Sequence, residues 1–213
     1  MIEPYYSHAG ITIYCADCRD VPPHLPKMDL CLTDPPYGIE RFTRGFGTTR
    51  FKGYGCETDG IVWDKKPTAE TIALLLASAE KSVIWGANNF DLPTSEYFLV
   101  WDKEQTVDNF ASAELAYTNG KIPAKVFRYS IHQHNANGKD GHPTQKPLAL
   151  MKWCISLFPD AKTVLDPFLG SGTTLVAAKA MGLTAIGIEL HEPYCEIAAK
   201  RLSQEVFDFG GAE

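Results

Sequence analysis

The sequence predicts an α/β fold: a mostly parallel sheet with helices on both faces, in a single domain spanning residues 1–213. Three observations predict it. Helical and strand patterns alternate along the chain. Several strand segments are continuous apolar runs, as expected of strands covered on both faces. Residues 163–190 read as strand, glycine turn, helix and strand, one parallel unit of such a sheet.

The elements follow in order. "GITIYCAD" (10–17) alternates and is rich in β-branched residues, which predicts a strand. "MDLCLTD" (28–34) is an apolar run ending at Asp34, a second and buried strand. Residues 38–60 hold six glycines and no apolar period, which predicts a loop. "TAETIALLLASAEKS" (68–82) has helical spacing, with Thr68 as its N-cap. Strands are predicted at 82–87, 97–102 and 113–118. Residues 119–146 are polar and basic, and 119–141 are expected to form a second loop insertion. Helices are predicted at 147–158, 173–182 and 193–206, with strands at 163–168 and 184–190 between them. Pro147 suits a first helical turn, and Gly182 closes its helix.

Composition bounds the class. Apolar residues make up 45% of the chain and charged residues 22%, the profile of an ordinary globular protein. No apolar run approaches the roughly 20 residues of a membrane helix. The N-terminus shows no basic-then-apolar signal pattern, so a cytoplasmic location and no membrane partner are expected. The cysteines stand at 15, 18, 31, 56, 154 and 195. Only Cys15 and Cys18 are close in sequence, without a second pair, so buried free thiols are expected and no metal site. His132-x-His134 lacks a carboxylate partner and does not change that expectation. The formal charge of −6 is not that of a nucleic-acid binder as a whole, but local patches decide such binding.

Two segments carry chemistry. In "DPFLGSGTTL" (166–175), Gly170 and Gly172 let the backbone turn from strand to helix and let a ligand come close. The helix N-terminus offers free N–H groups to an anion. Glu189 stands about 20 residues on, where a carboxylate meets ribose hydroxyls. The third glycine of the dinucleotide fingerprint is missing. The turn therefore suits one nucleoside with an amino-acid tail, such as S-adenosylmethionine (SAM).

The second segment, "DPPY" (34–37), closes a buried strand at its carboxyl end, where α/β sheets place ligands. Methylating an exocyclic base amine demands acceptors for its N–H groups, because its lone pair is delocalised into the ring. Asp34 supplies a carboxylate and Pro35 a carbonyl, aimed by the rigid Pro35-Pro36 pair. Tyr37 offers a flat face to a base drawn out of its stack.

Taken together, "DPPY" (34–37), "HPTQKP" (142–147), "LDPFLGSGTT" (165–174) and "IGIEL" (186–190) resemble, in motif and order, the permuted amino-group DNA methyltransferases, the N6-adenine/N4-cytosine DNA methylases. The resemblance covers nearly the whole chain, and "ADCRD" (16–20) is similar to the segment before that family's catalytic strand. It implies a Rossmann-like SAM-dependent fold. It implies that Asp34, Pro35, Pro36 and Tyr37 hold the target amine, with Asp34 also bordering the cofactor. It implies that Asp166, Phe168, Gly170, Ser171, Gly172 and Thr173 line the methionine end of SAM, with Glu189 on the ribose. Thr144, Gln145 and Lys146 would lie near the SAM carboxylate, and Asp17 and Cys18 would border the adenine ring.

The implied partner is double-stranded DNA with the target base flipped out. Residues 41–52 carry Arg41, Arg44, Arg50 and Lys52 with Phe42, Phe46 and Phe51 interleaved and no acid, a patch suited to phosphates and bases. Lys125 and Arg128 belong to a second basic stretch, in the region where the family often places target recognition. That region is short here, so either a short site is read or a second subunit, as a homodimer, completes DNA binding. Asp at position 34 leans towards adenine N6 by resemblance. N4-cytosine methylation, an RNA or protein methyltransferase, and an inactive DNA-binding module are the rival readings.

Overall fold

The computed structural model describes residues 2–38, 65–105, 111–136 and 145–204. Its strands are Tyr6–His8 (β1), Ile11–Cys15 (β2), Met28–Thr33 (β3), Ala79–Trp85 (β4), Phe98–Asp102 (β5), Ala113–Thr118 (β6), Lys125–Arg128 (β7), Thr163–Asp166 (β8) and Thr184–Glu189 (β9). Its helices are Ala69–Ala77 (α1), Ile131–Ala136 (α2), Leu148–Ser156 (α3), Thr173–Ala180 (α4) and Glu192–Ser203 (α5). All these strands join one sheet in the order β1-β2-β9-β8-β3-β4-β6-β5-β7. The five central strands, β2, β9, β8, β3 and β4, run parallel. β1 and β6 pair antiparallel to their neighbours, and β7 runs parallel to β5.

The apolar strand runs fill a two-sided core. Ile11, Ile13, Leu30, Leu32, Val83, Trp85 and Leu99 form one cluster with Leu150 and Met151 of α3, Leu175 and Ala178 of α4, and Ala198 and Leu202 of α5. Cys31, Leu165 and Ile188 point the other way, onto Val21, Met28 and Ala79. Successive residues of one strand, such as Leu30, Cys31 and Leu32, thus serve opposite faces, as the pleat requires. This is a Rossmann-like arrangement, as the sequence predicts.

Several element boundaries differ from expectation. The helix predicted over 68–82 ends at Ala77, and Ala79 already pairs with Met28 in the parallel ladder. Thr68 caps α1 as expected, its Oγ1 accepting from Thr71 N at 3.3 Å. Ser78 Oγ then donates to Leu74 O at 2.7 Å and the chain turns into the sheet. Sheet pairing outweighs the helical preference of Ala79-Glu80-Lys81. Within the expected loop at 119–141 stand a strand, β7, and a short helix, α2. Among the described residues β7 pairs only with β5 and buries little, so it lacks the apolar signature of a core strand. β1, a three-residue edge strand, is also absent from the prediction for the same reason. The predicted loop at 38–60 lies outside the described residues apart from Gly38.

β3 and β8 are adjacent, yet the chain leaves them in opposite directions: β3 is followed across the sheet by β4, and β8 by β9. That is a topological switch point, the crevice where open α/β sheets bind ligands. Asp29 locks the pair at its other end. Its Oδ2 accepts from Lys162 N (2.8 Å), Thr163 N (2.9 Å) and Thr163 Oγ1 (2.9 Å). These donors hold the Asp29 carboxyl below its ordinary value. The interaction is therefore present above the unfolded value and lost as pH falls through the lowered one. Asp29→Ala is expected to cost about 1–3 kcal/mol at neutral pH. Urea denaturation should show this loss at pH 7, and a smaller one at pH 3.

Candidate active site

The parallel strands all end on one edge of the sheet, and that edge gathers the chemistry. Reading across it, Asp17 and Cys18 follow β2, Glu189 ends β9, Asp166 ends β8, Asp34 follows β3 and Gly86 follows β4. β6 runs antiparallel, so its first residues, including Glu114, reach the same edge. Lys103, just after β5, reaches it too.

On the β9 side the glycine turn is tied down from two directions. Gly170 and Gly172 adopt positive φ, +53° and +86°. A Cβ on Gly172 would also lie 2.8 Å from the Ala198 Cβ of α5, so glycine is needed there twice over. Glu189 Oε2 accepts from Gly170 N at 2.9 Å, and Oε1 from His191 N at 2.9 Å. Burial pushes the Glu189 carboxyl up, and these two N–H groups oppose the shift. Arg201 on α5 donates to Ser171 O at 2.6 Å, with Ser171 Oγ at 3.2 Å and Thr173 Oγ1 at 3.3 Å. The turn is thus held rigid while α4 presents its N-terminal end to it. Asp17, near the same edge, is bound by Arg19 through Nε (2.8 Å) and Nη2 (2.6 Å), which holds its carboxyl down at about 2. Burial pushes the neighbouring Cys18 thiol up to about 12.

Asp166 is buried at the middle of the edge. Its Oδ1 accepts from Thr33 Oγ1 at 2.7 Å and from Phe168 N at 3.1 Å. Burial still pushes its carboxyl up to about 6, against the opposing hydrogen bonds of Thr174, Thr33 and Phe168 N. The Thr33 bond joins the last residue of β3 to the last residue of β8, one position before Asp34.

Asp34 sits in a four-membered ionic chain. Its Oδ1 accepts from Tyr37 Oη at 2.5 Å, and its Oδ2 accepts from Lys146 Nζ. Lys146 Nζ is also 3.1 Å from Glu114 Oε2, and Glu114 Oε1 is 2.5 Å from Lys103 Nζ. Burial raises the Asp34 carboxyl, Lys146 opposes it, and Glu114 adds to the rise. Burial alone would lower Lys146, but Asp34 and Glu114 overcome it, so the ammonium stays charged well above its ordinary value. Burial works against the Glu114 carboxylate as well, yet Lys146 and Lys103 hold it down at about 2.

Tyr37 is set by its neighbours. A Cβ on Gly86 would lie 2.1 Å from the Tyr37 ring, and Gly86 has φ +71°, so only glycine lets the ring lie there. Phe90 meets the ring edge-on at 6.0 Å, and Lys146 Nζ lies 5.6 Å from its centroid. Burial and then Asp34 push the Tyr37 phenol well above its ordinary value, so it is a donor at neutral pH.

The structure therefore brings Asp34, Pro35, Pro36, Tyr37, Lys146, Asp166 and the glycine turn to one edge. Gln145 is beside Lys146, and its carbonyl lies 2.7 Å from His134 Nε2. Lys125 and Arg128 are on β7, four strands from β3, both exposed, with Arg128 Nε 3.4 Å from Asp102 Oδ2. Thr144, Arg41, Arg44, Arg50 and Lys52 lie outside the described residues, as does Cys56. Of the cysteines expected to be buried, Cys31, Cys154 and Cys195 are, Cys18 is half-buried and Cys15 is exposed at the end of β2. Among the described residues no group of three metal-ligating side chains is placed to hold an ion, and no helix is long and apolar enough to cross a membrane. Glu114, Lys103, Gly86, Arg201 and His134 were not expected at the site. Only Gly86, a glycine directly after a buried strand, leaves a trace in the sequence.

The comparisons with known proteins agree with this geometry. Residues 56–200 match the family described as DNA methylase. Across 152 residues the chain is 47% identical to the type II methyltransferase M.HinfI of Haemophilus influenzae, covering 68% of this chain and 38% of that protein. It is 26% identical to the type II methyltransferase M.ScaI of Streptomyces caespitosus, over 95% of this chain and 84% of that one. Two solved structures share the fold. One is the M1.HpyAVI–SAM complex (TM-score 0.54, 24% identity, 91% of this chain and 100% of that one). The other is PvuII DNA methyltransferase, cytosine-N4-specific (TM-score 0.63, 16% identity, 96% and 90%). The fold and this edge define a Rossmann-like methyltransferase. The chain belongs to the N6/N4 amino-group DNA methylase family.

The raised Asp166 carboxyl makes a prediction. Its pKa rises from 3.8 to about 6 on folding. Its favourable contribution is then fully present below about pH 4 and lost as pH rises through about 6. The asparagine Oδ1 can accept from Thr33 Oγ1 and Phe168 N without a charge. Asp166→Asn is therefore expected to be more stable than the wild type at pH 8, by on the order of 2 kcal/mol. Thermal melts across pH should show the gap closing below about pH 4.

Proposed function

We propose that this chain transfers a methyl group from SAM to the exocyclic N6 amine of a flipped-out adenine in double-stranded DNA. The observation that carries the reading is the Asp34 carboxylate, which already grips a nitrogen donor beside the Tyr37 ring. It stands next to the strand whose turn is held by Glu189.

The residues on the β9 side fit the cofactor by their chemistry. Glu189 keeps lone pairs on both oxygens for ribose hydroxyls, beyond those used by Gly170 and His191. The glycine turn admits close approach, and Asp166, before that turn, is bonded to Thr33, the residue before Asp34. The fold neighbour solved with SAM supports the same assignment. When bound, SAM supplies an electrophilic methyl group on a sulfonium.

The remaining work falls to this chain's own groups. Asp34 and the Pro35 carbonyl would accept the two N–H bonds of the target amine, holding it and shifting electron density towards nitrogen. Positioning of this kind removes much of the entropic barrier to displacement. Tyr37 would stack on the base, with Gly86 and Phe90 fixing its plane. The raised Asp34 carboxyl suits it to take the proton that the methylated amine must lose. Arg41, Arg44, Arg50, Lys52, Lys125 and Arg128 would contact phosphates. N4-cytosine methylation is the second reading, supported by the fold shared with the cytosine-N4-specific PvuII enzyme.

Sequencing the modified bases in DNA from cells expressing the chain tests the proposal. N6-methyladenine in one short context is expected, and N4-methylcytosine would favour the second reading. Asp34→Ala is expected to lower transfer of tritiated methyl groups by at least 1,000-fold, while the Kd for SAM changes less than about threefold. A collapse of SAM affinity would refute this division of roles.

A further inference from the structure

The Lys146 ammonium occupies the place that the target amine would need. It donates to Asp34 Oδ2, stands 3.3 Å from Tyr37 Oη, and lies 5.6 Å from the Tyr37 ring centroid. The proposed substrate would need the same carboxylate for its N–H groups, with its base against the Tyr37 ring beside the hydroxyl that the ammonium meets. Both cannot be satisfied at once. Moving a buried ammonium off its carboxylate is costly unless another anion receives it.

One anion is in reach. Glu114 Oε2 is buried and lies 3.1 Å from Lys146 Nζ, so Glu114 and Asp34 share one ammonium. A shared ammonium can shift onto one of its two carboxylates without leaving the cluster. Lys103 holds the other oxygen, Oε1, at 2.5 Å, and lies 5.1 Å from the Trp101 ring, so the carboxylate cannot swing away.

We propose that Lys146 is a stand-in for the target amine, and that Glu114 is the positioning residue that draws it off Asp34 when the base enters. The inference rests on the proposed base-amine methylation. Lys146 neutralises Asp34 while no base is bound. On base entry the ammonium turns fully onto Glu114 Oε2. Asp34 is then free to accept the amine, and its charge stays balanced within the four-group cluster because Lys146 does not leave it. Nothing in this step makes or breaks a covalent bond.

Glu114→Gln tests it, since the amide keeps the shape but not the charge. Single-turnover methyl transfer is measured with tritiated SAM on a duplex carrying the site found by modified-base sequencing. The Gln variant is expected to transfer at least tenfold more slowly, with the Kd for SAM unchanged within twofold. Adding Lys146→Met to Glu114→Gln removes the competitor and, with SAM kept saturating for each variant because Lys146 is also expected near the SAM carboxylate, should recover most of the lost rate. Glu114→Asp, which keeps the anion, should stay within about threefold of wild type and serves if the Gln variant folds poorly. Wild-type transfer by Glu114→Gln, a double variant slower than the single one, or an equal loss in Glu114→Asp each overturns the proposal. If the wild-type chain methylates no DNA, the parent reading falls and takes this one with it.

Discussion

Everything at the site follows from one constraint: two carboxylates, Asp34 and Asp166, sit at the ends of adjacent buried strands. Charged groups in such a place are costly unless each finds donors. The two are compensated by different means. Asp166 is served by neutral donors, Thr33 Oγ1 and Phe168 N, and its carboxyl remains pushed up to about 6. Asp34 is served by a cation and a phenol. That difference separates their functions. A group held by fixed neutral donors is a rigid post, which suits Asp166 to the cofactor side of the proposed site. A group held by a long flexible ammonium can exchange its partner, which suits Asp34 to the substrate side of the proposed site.

The same constraint accounts for the order of elements. Catalytic strand β3 precedes cofactor strand β8 by more than 120 residues in the chain, yet the sheet sets them side by side. What couples the two halves is spatial: the Thr33–Asp166 bond at one end of the strand pair and Asp29 with Thr163 at the other. Neither bond depends on which half comes first. The contacts that join the two halves would survive a change of chain order that kept this pair of strands.

How much of this could be read from the sequence depends on the range of the interaction that decides it. The glycine turn, Glu189 and the Asp34–Tyr37 segment are local patterns with local causes, and the structure sets all of them on one edge. The extended loop reading of 119–141 failed because β7 gains its strand from pairing with β5 alone and has no buried face to announce it. The overlong first helix failed because Ala79 belongs to β4 only through its partner Met28. Glu114 was invisible for a further reason. An acid near the start of a half-exposed strand looks like any solvated residue until Lys103 and Lys146 arrive from elsewhere in the chain. His134, eight residues before the HPTQKP segment, joins the site through its ring, which reaches the Gln145 carbonyl.

Charge balance explains why the site carries two lysines and not one. Asp34 and Glu114 face Lys146 and Lys103, so the chain of four groups is neutral. A neutral base amine brings no charge of its own. If Lys146 were expelled to solvent to admit it, two buried carboxylates would be left with one cation, at a cost of several kcal/mol. If Lys146 remains beside Glu114, the sum stays at zero and only hydrogen bonds are exchanged. A single Asp34–Lys146 pair could not do this, because its lysine would have nowhere to go. The second pair, Lys103 and Glu114, provides the destination, from just after β5 and from β6, whose antiparallel pairing brings them together at the edge where Asp34 stands.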